Sequence, residues 1–139
     1  MRHVVFRVGG ERFALPLEAV REVVVPQPPF ARVPRASEAV RGVMNLRGRV
    51  VAVVDLAPLV GLAAQPLEPG AGQVLILEHA RRALGLLIGA VVGVEPLAPP
   101  EDPDGDGLVR GVAASRTGAV TVLGPTPLAA EASRLFGAR

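Results

Sequence analysis

Cysteine, lysine, tryptophan and tyrosine are all missing from this chain of 139 residues. Without cysteine there can be no disulfide, no thiolate zinc site and no cysteine nucleophile. Without lysine, Schiff-base chemistry is excluded, and every one of the fifteen cationic side chains is arginine. The aromatic set is four phenylalanines, too few for a surface that stacks nucleic-acid bases one after another. Two histidines and three serines without a Gly-x-Ser-x-Gly elbow assemble no catalytic triad. No apolar run reaches the roughly 18 to 20 residues needed to cross a bilayer. The N-terminus lacks the basic, apolar and small-residue regions of a secretion signal, so a cytoplasmic location without membrane insertion is expected.

What is present is half hydrophobic and rich in turn formers, with sixteen glycines and fourteen prolines. The length fits one domain, or two small subdomains sharing an interface. The net charge of +2 is unevenly spread: residues 1–70 hold nine Arg against six acids, and residues 71–139 hold six Arg against seven. That imbalance is mild, and it matches a solvated surface with scattered charges better than a dedicated acidic-partner face.

Alternating apolar residues at Val4, Phe6 and Val8 and at Phe13 and Leu15, divided by "GGE", predict an opening β-hairpin. "LEAV" after Pro16 makes one helical turn, and a strand over 20–25 is stopped by "PQPP". Ser37 is a candidate N-cap for a short "EAV" turn, followed by strands at about 42–46 and 49–56. Residues 50–54 are continuously aliphatic, which predicts a strand covered on both faces, wedged between two packed units. A Pro/Gly-rich connector at 64–73 leads to a second meander, with Gly89 as a kink and "RTG" as a hairpin turn. Thr126 with Pro127 at the first helical position predicts a terminal helix over about 127–135. About ten short strands and little helix imply small barrels or a sandwich.

Three constellations invite chemistry. "DPDGDG" places Asp102, Asp104, Asp106 and Gly107 as in a calcium loop, but position twelve is Ala113 instead of a bidentate Glu, so a solvated acidic loop is the better reading. "PGAGQVL" has Gly-x-Gly ahead of a strand, not a helix, and makes no phosphate cradle. Asp55, at the end of a buried strand, could act as an acid or base, but its place before "LAPLVGL" suits capping a short helix. No metal, cofactor or enzymatic activity is expected.

The stretch "GVMNLRGRVVAVVDL" (42–56) sets Asn45, Arg47 and Gly48 between two aliphatic runs. A guanidinium buried there would need a carboxylate or a fan of carbonyls, since an unpaired one costs several kcal/mol, on the order of a broken buried ion pair. Glu22, within "VREV", is the natural partner; the alternative is that both side chains point separately to solvent.

With "VVFRVGGERFALPLEAVREVV" and "VLILEHARRALGLLIGAVVGV", this block resembles the signature of the chemotaxis coupling protein CheW and CheW-like domains, over about 4–128. The resemblance implies an all-β fold of two five-stranded SH3-like barrels packed together, with short helices and a C-terminal helix, in a single domain over 1–139 whose second barrel spans roughly 50–125. It implies a non-enzymatic adaptor joining the cytoplasmic hairpin of a chemoreceptor to the regulatory domain of the histidine kinase CheA. Carried over position by position, the receptor groove would comprise Val20, Glu22, Val23, Gly42, Asn45, Arg47, Val91 and Val94, and the comparison favours a Glu22–Arg47 pair. Three departures stand out: Gly89 where an Asp is usual, Ala52 where proline is common, and "VLGPTPLAAEA" in place of an acidic closing segment. Two other functions compete: an Arg-rich β-barrel binding nucleic acid, and a small hydrolase using Asp55 with His3 or His79.

Overall fold

The computed structural model describes residues 1–26, 30–34, 36–66, 71–79, 82–99 and 107–135. Ten strands dominate these residues: β1 (Arg2–Val8), β2 (Glu11–Pro16), β3 (Val20–Val24), β4 (Val40–Leu46), β5 (Arg49–Asp55), β6 (Gln73–His79), β7 (Arg82–Ile88), β8 (Ala90–Pro96), β9 (Val109–Ser115) and β10 (Gly118–Leu123). Two helices are present: α1 (Leu56–Leu59) follows β5 directly, and α2 (Pro125–Arg134) follows β10 after one residue. The "LEAV" turn is a 3-10 turn over Leu17–Ala19, and Ser37 caps its own turn, its Oγ accepting from the Ala39 amide at 3.2 Å.

The strands form two five-stranded sheets, β8-β1-β2-β10-β9 and β3-β6-β7-β5-β4. Each has one parallel pair, β10 with β2 and β5 with β7, and is otherwise antiparallel. The period-two alternation of the strands supplies three cores. Val5, Ala14, Val120 and Val122 fill the first sheet's own interior. Val51, Val53, Val74, Ile76 and Leu87 fill that of the second. The opposite faces meet in a shared core where Phe6, Phe13, Leu15 and Leu123 pack with Val54, Leu75, Leu77, Leu86 and Ile88.

The aliphatic run 50–54 is thus covered on both faces, as expected, with one exception. Val50 is 73% exposed, because it lies beside the hairpin tip, opposite Asn45. A contiguous second barrel over 50–125 is not found: β5 to β7 belong to one sheet and β8 to β10 to the other. The terminal helix begins two residues before the expected start, at Pro125 with Gly124 as N-cap, since proline is tolerated throughout a first turn whose N–H groups lack helical partners anyway.

The physical reason for the discontinuous barrels is an internal duplication with exchanged hairpins. β1 to β5 followed by α1 repeat as β6 to β10 followed by α2. The hairpin β1–β2 pairs with β8 and β10, and the hairpin β6–β7 pairs with β3 and β5, so each hairpin completes the sheet of the other repeat. Registers coincide. Phe6 opposite Phe13 corresponds to Leu77 opposite Leu84. The bulge after Val20 in β3 corresponds to the one after Val91 in β8. The parallel pair Ala52–Leu84 corresponds to Thr121–Phe13.

Candidate functional site

The "NLRG" stretch ends β4 and supplies the two-residue turn, Arg47 and Gly48, between β4 and β5. Arg47 and Gly48 both have positive φ, 50° and 85°, as the primed turns that match the twist of antiparallel strands require. Asn45 fastens the turn, its Oδ1 accepting from the Gly48 amide at 2.8 Å. Arginine in the left-handed region is disfavoured for its Cβ, so this turn tolerates a local cost to project a guanidinium at its tip.

That guanidinium pairs with Glu22 on β3. Because β3 and β4 are the two edges of their sheet, the pair spans the open side of the barrel. The expected pairing is present, but the premise of burial is corrected: the Arg47 side chain is 66% exposed, since the turn projects beyond the sheet instead of between the barrels. Arg21 and Arg49 share Glu78 beside it. A small hollow lined by Glu22, Leu46, Arg47, Arg49 and Ile76 lies within this band. The hydrogen bond from Arg47 holds the Glu22 carboxyl below the usual carboxylate range against some desolvation, with the positive charges of Arg47 and Arg21 assisting. Glu78 is lowered likewise, chiefly by its bond from Arg21.

The barrel is closed next to this pair by the chain that follows β3. Ala31 and Val43 exchange backbone hydrogen bonds of 3.0 and 2.8 Å, and this crossing explains Gly42, which is buried with φ 135°. A Cβ there would lie 2.6 Å from the Ala31 carbonyl oxygen and 2.7 Å from the Phe30 Cβ. Gly42 therefore shapes the seam and presents no groove surface. A concavity of about 460 Å³ opens alongside, lined by Val24, Val25, Phe30, Val43, Met44 and Leu46 with Asn45. None of its apolar members was singled out by sequence, although Phe30, one of only four aromatics and set among prolines, was the available signal.

The four valines of the expected groove lie elsewhere. Val20 and Val91 both pack on the shared core. Val23, opposite Leu75, and Val94, opposite Val4, stand on the shared-core faces of their sheets. Yet they remain 40% and 46% exposed. The duplication makes Val20 equivalent to Val91 and Val23 to Val94, so the edge strands β3 and β8 offer matching apolar positions on their shared-core faces. Glu22, opposite Ile76, faces the other way, toward the interior of its own barrel. The eight expected residues accordingly divide into four valines on the shared-core faces of β3 and β8 and a separate Glu22–Asn45–Arg47 cluster, with Gly42 beneath the crossing chain.

Asp55 is a structural residue. It is 0% exposed and accepts from the Ala57 amide at 3.0 Å as the cap of α1. It also accepts from the Gln65 amide and Nε2, both at 2.7 Å, and from Arg41 Nη1 at 3.2 Å. With four donors on two oxygens it has no free lone pair aimed at a substrate. His3 is buried, its Nδ1 3.2 Å from the Met1 carbonyl oxygen. The His79 side chain and Asp102, Asp104 and Asp106 of the acidic loop lie outside the described residues. Gly89 is where the chain leaves one sheet for the other: its amide donates to the Arg7 carbonyl at 2.8 Å, and a Cβ there would sit 2.7 Å from that oxygen. A carboxylate side chain does not fit that backbone path.

Known proteins are similar to this chain in sequence and in fold. The CheW-like domain description matches residues 2–132. Protein PilI of Pseudomonas aeruginosa is 34% identical over 90 residues, 65% of this chain and 49% of that protein. A probable chemotaxis protein CheW of Rhizobium etli is 37% identical over 89 residues, 63% of this chain and 56% of that protein. The chain thus spans about half the length of these two relatives. Chemotaxis protein CheW of Helicobacter pylori is 27% identical over 131 residues, covering 88% of this chain and 78% of that protein. The crystal structure of the scaffolding protein TtCheW from Thermoanaerobacter tengcongensis superposes with a TM-score of 0.74 at 26% identity, over 88% of each chain. On the match from residue 2 to 132, the chain belongs to the CheW-like domain family.

Proposed function

We propose that this domain is an adaptor that joins the cytoplasmic hairpin of a chemoreceptor to the regulatory domain of a CheA-type histidine kinase, and that it performs no chemistry itself. The observation that carries this reading is a matched pair of apolar positions: Val23 and Val94, equivalent through the duplication, keep exposed apolar surface on the shared-core faces of the edge strands β3 and β8. An amphipathic receptor helix docks its apolar face on exposed apolar positions of this kind. The Glu22–Arg47 cluster then lies on a different face, where it holds the barrel edge and offers a charged contact to a second partner.

Nucleic-acid binding is the weaker alternative on physical grounds. Arg21, Arg41, Arg47, Arg49 and Arg134 are each engaged by a carboxylate, which removes much of the unbalanced positive field that a phosphate backbone requires.

Co-sedimentation of receptor hairpin, kinase and this protein tests the proposal. Val23→Asp or Val94→Asp should lower the receptor-dependent fraction about tenfold or more, as for a central apolar anchor. Arg47→Glu should weaken the three-component assembly. Unaltered assembly in both valine variants, with folding intact, would remove these edge-strand valines as the receptor site. Steep salt dependence of binding to single-stranded RNA would instead support the nucleic-acid reading.

A further inference from the structure

The two repeats treat one pair of positions in opposite ways. Arg7 stands directly opposite Arg12 across the hairpin β1–β2, where the equivalent pair in the hairpin β6–β7 is Glu78 and Ala83. Glu78 is paired with Arg21 and Arg49. The duplication puts Val92 and Gly118 at the places of those two partners, so the second site has an arginine in place of the acid and no charge to answer it. Like charges directly opposite one another on a sheet repel. Neither Arg7 nor Arg12 forms an ion pair among the described residues.

Both arginines line a concavity of about 500 Å³, together with Glu11, Val112, Ala119 and Thr121. It crosses four neighbouring strands, from β1 through β2 and β10 to the edge strand β9. Three strand spacings make that path about 14 Å, the reach of roughly four extended residues. Its two ends differ in character. On β1 and β2 two guanidinia stand against the single carboxylate of Glu11, whereas on β9 Val112 is 56% exposed. Arg12 is already held in place, its Nη1 donating to the Thr117 carbonyl at 2.6 Å. The other N–H groups of its fork are left for an acceptor, and little side-chain freedom remains to be lost on binding.

We propose that this trough is a docking surface for an acidic peptide segment of a partner protein, with carboxylates on Arg7 and Arg12 and an apolar side chain on Val112. Charge complementarity selects the occupant, because guanidinium forks take carboxylates through parallel N–H groups. A single small ion would answer the arginines and leave Val112 uncovered; a chain segment spans both ends. The surface includes none of the valines of β3 and β8 and none of the Glu22–Asn45–Arg47 cluster, so it stands independently of the adaptor reading.

The test uses the whole chain and a capped peptide of about eight residues that alternates glutamate with valine, long enough to cross the trough when extended. NMR follows the backbone amides, the valine methyls and the arginine Nε–H groups. The signals of Arg7, Arg12, Val112 and Thr121 should move together and saturably. Arg7→Gln or Arg12→Gln should each weaken binding about tenfold, as for a charge-assisted hydrogen bond, and Val112→Ser about fivefold. Neither arginine substitution should lower the thermal midpoint, since each removes a repulsion, so a lost response cannot be traced to unfolding. Absence of shifts at these residues at about 1 mM peptide, shifts confined to β3 and β8, or equal binding by the double variant Arg7→Gln/Arg12→Gln overturns the proposal. Equal binding of a peptide with glutamine in place of glutamate overturns it too. So does displacement of the peptide by a lower concentration of inorganic phosphate or single-stranded RNA, which would assign the arginines to a phosphate-bearing ligand.

Discussion

Arg47 separates what a residue costs from what it is for. It holds a left-handed backbone that glycine would adopt freely, and its ion pair is largely exposed, a setting in which such pairs contribute little. Arg47→Gly should therefore leave the melting temperature unchanged or slightly raised, while three-component assembly falls; a large loss of stability would mean that the pair is structural. The Glu22 carboxyl supplies a second observable. Its folded pKa is lowered, so whatever the pair contributes is present above the ordinary carboxylate pKa and is lost as pH falls through the lowered folded value. In Arg47→Gln, NMR titration should show Glu22 protonating at higher pH than in the wild type. Gly42 lies at the opposite extreme. Its positive φ and the carbonyl at 2.6 Å from a would-be Cβ predict a loss of about 2 to 4 kcal/mol for Gly42→Ala by denaturant melting.

Among elements, the end of β5 shows the sharpest concentration of polar order. Asp55 ties the start of α1, the backbone of Gln65 and the Arg41 side chain into one buried network, and Gln65 extends it to the Leu87 carbonyl on β7 at 2.6 Å. Asp55→Ala leaves the donors of Arg41 and Gln65 facing an empty site and should cost about 3 to 5 kcal/mol, with amide exchange accelerated first over 62–66. This role was readable in sequence because a carboxylate just before a helix start has one local use that overrides most others, capping. The strands were readable for a similar reason, since alternation and turn glycines are local signals. The duplication was not. Pairing partners are chosen by tertiary packing, and the two repeats differ at the positions that draw the eye, with Asp55 against Gly124 and Asn45 against Ala114. The Glu22–Arg47 pair was legible as complementary charges, but not its exposure, because the reach of a turn beyond its sheet leaves no trace in composition. The concavity around Phe30 and Met44 stayed hidden for the same reason as the closing contact between Ala31 and Val43: it exists only once β3 and β4 curl toward one another.

For the whole molecule, the exchange of hairpins makes two barrels into one cooperative body. Neither sheet can be completed by strands from a single repeat in the arrangement observed, and the shared core draws on both. A fragment of residues 1–66 should therefore be unfolded by circular dichroism and NMR. Mixing it with residues 71–139 should restore the native spectrum, with a single thermal transition. A fragment 1–66 that folded alone, closing β1–β2 onto its own β3 and β5, would show that the exchange is not obligatory.

The same interlocking has a mechanical side. A load applied at the edge strand β3 is carried through β6 and β7 into a hairpin that the chain continues as β8, the edge of the other barrel. To draw the barrels apart, both hairpins would have to be unthreaded together. In a lattice of linked subunits such a part behaves as a stiff strut: a displacement imposed at one end arrives at the other without being absorbed between them.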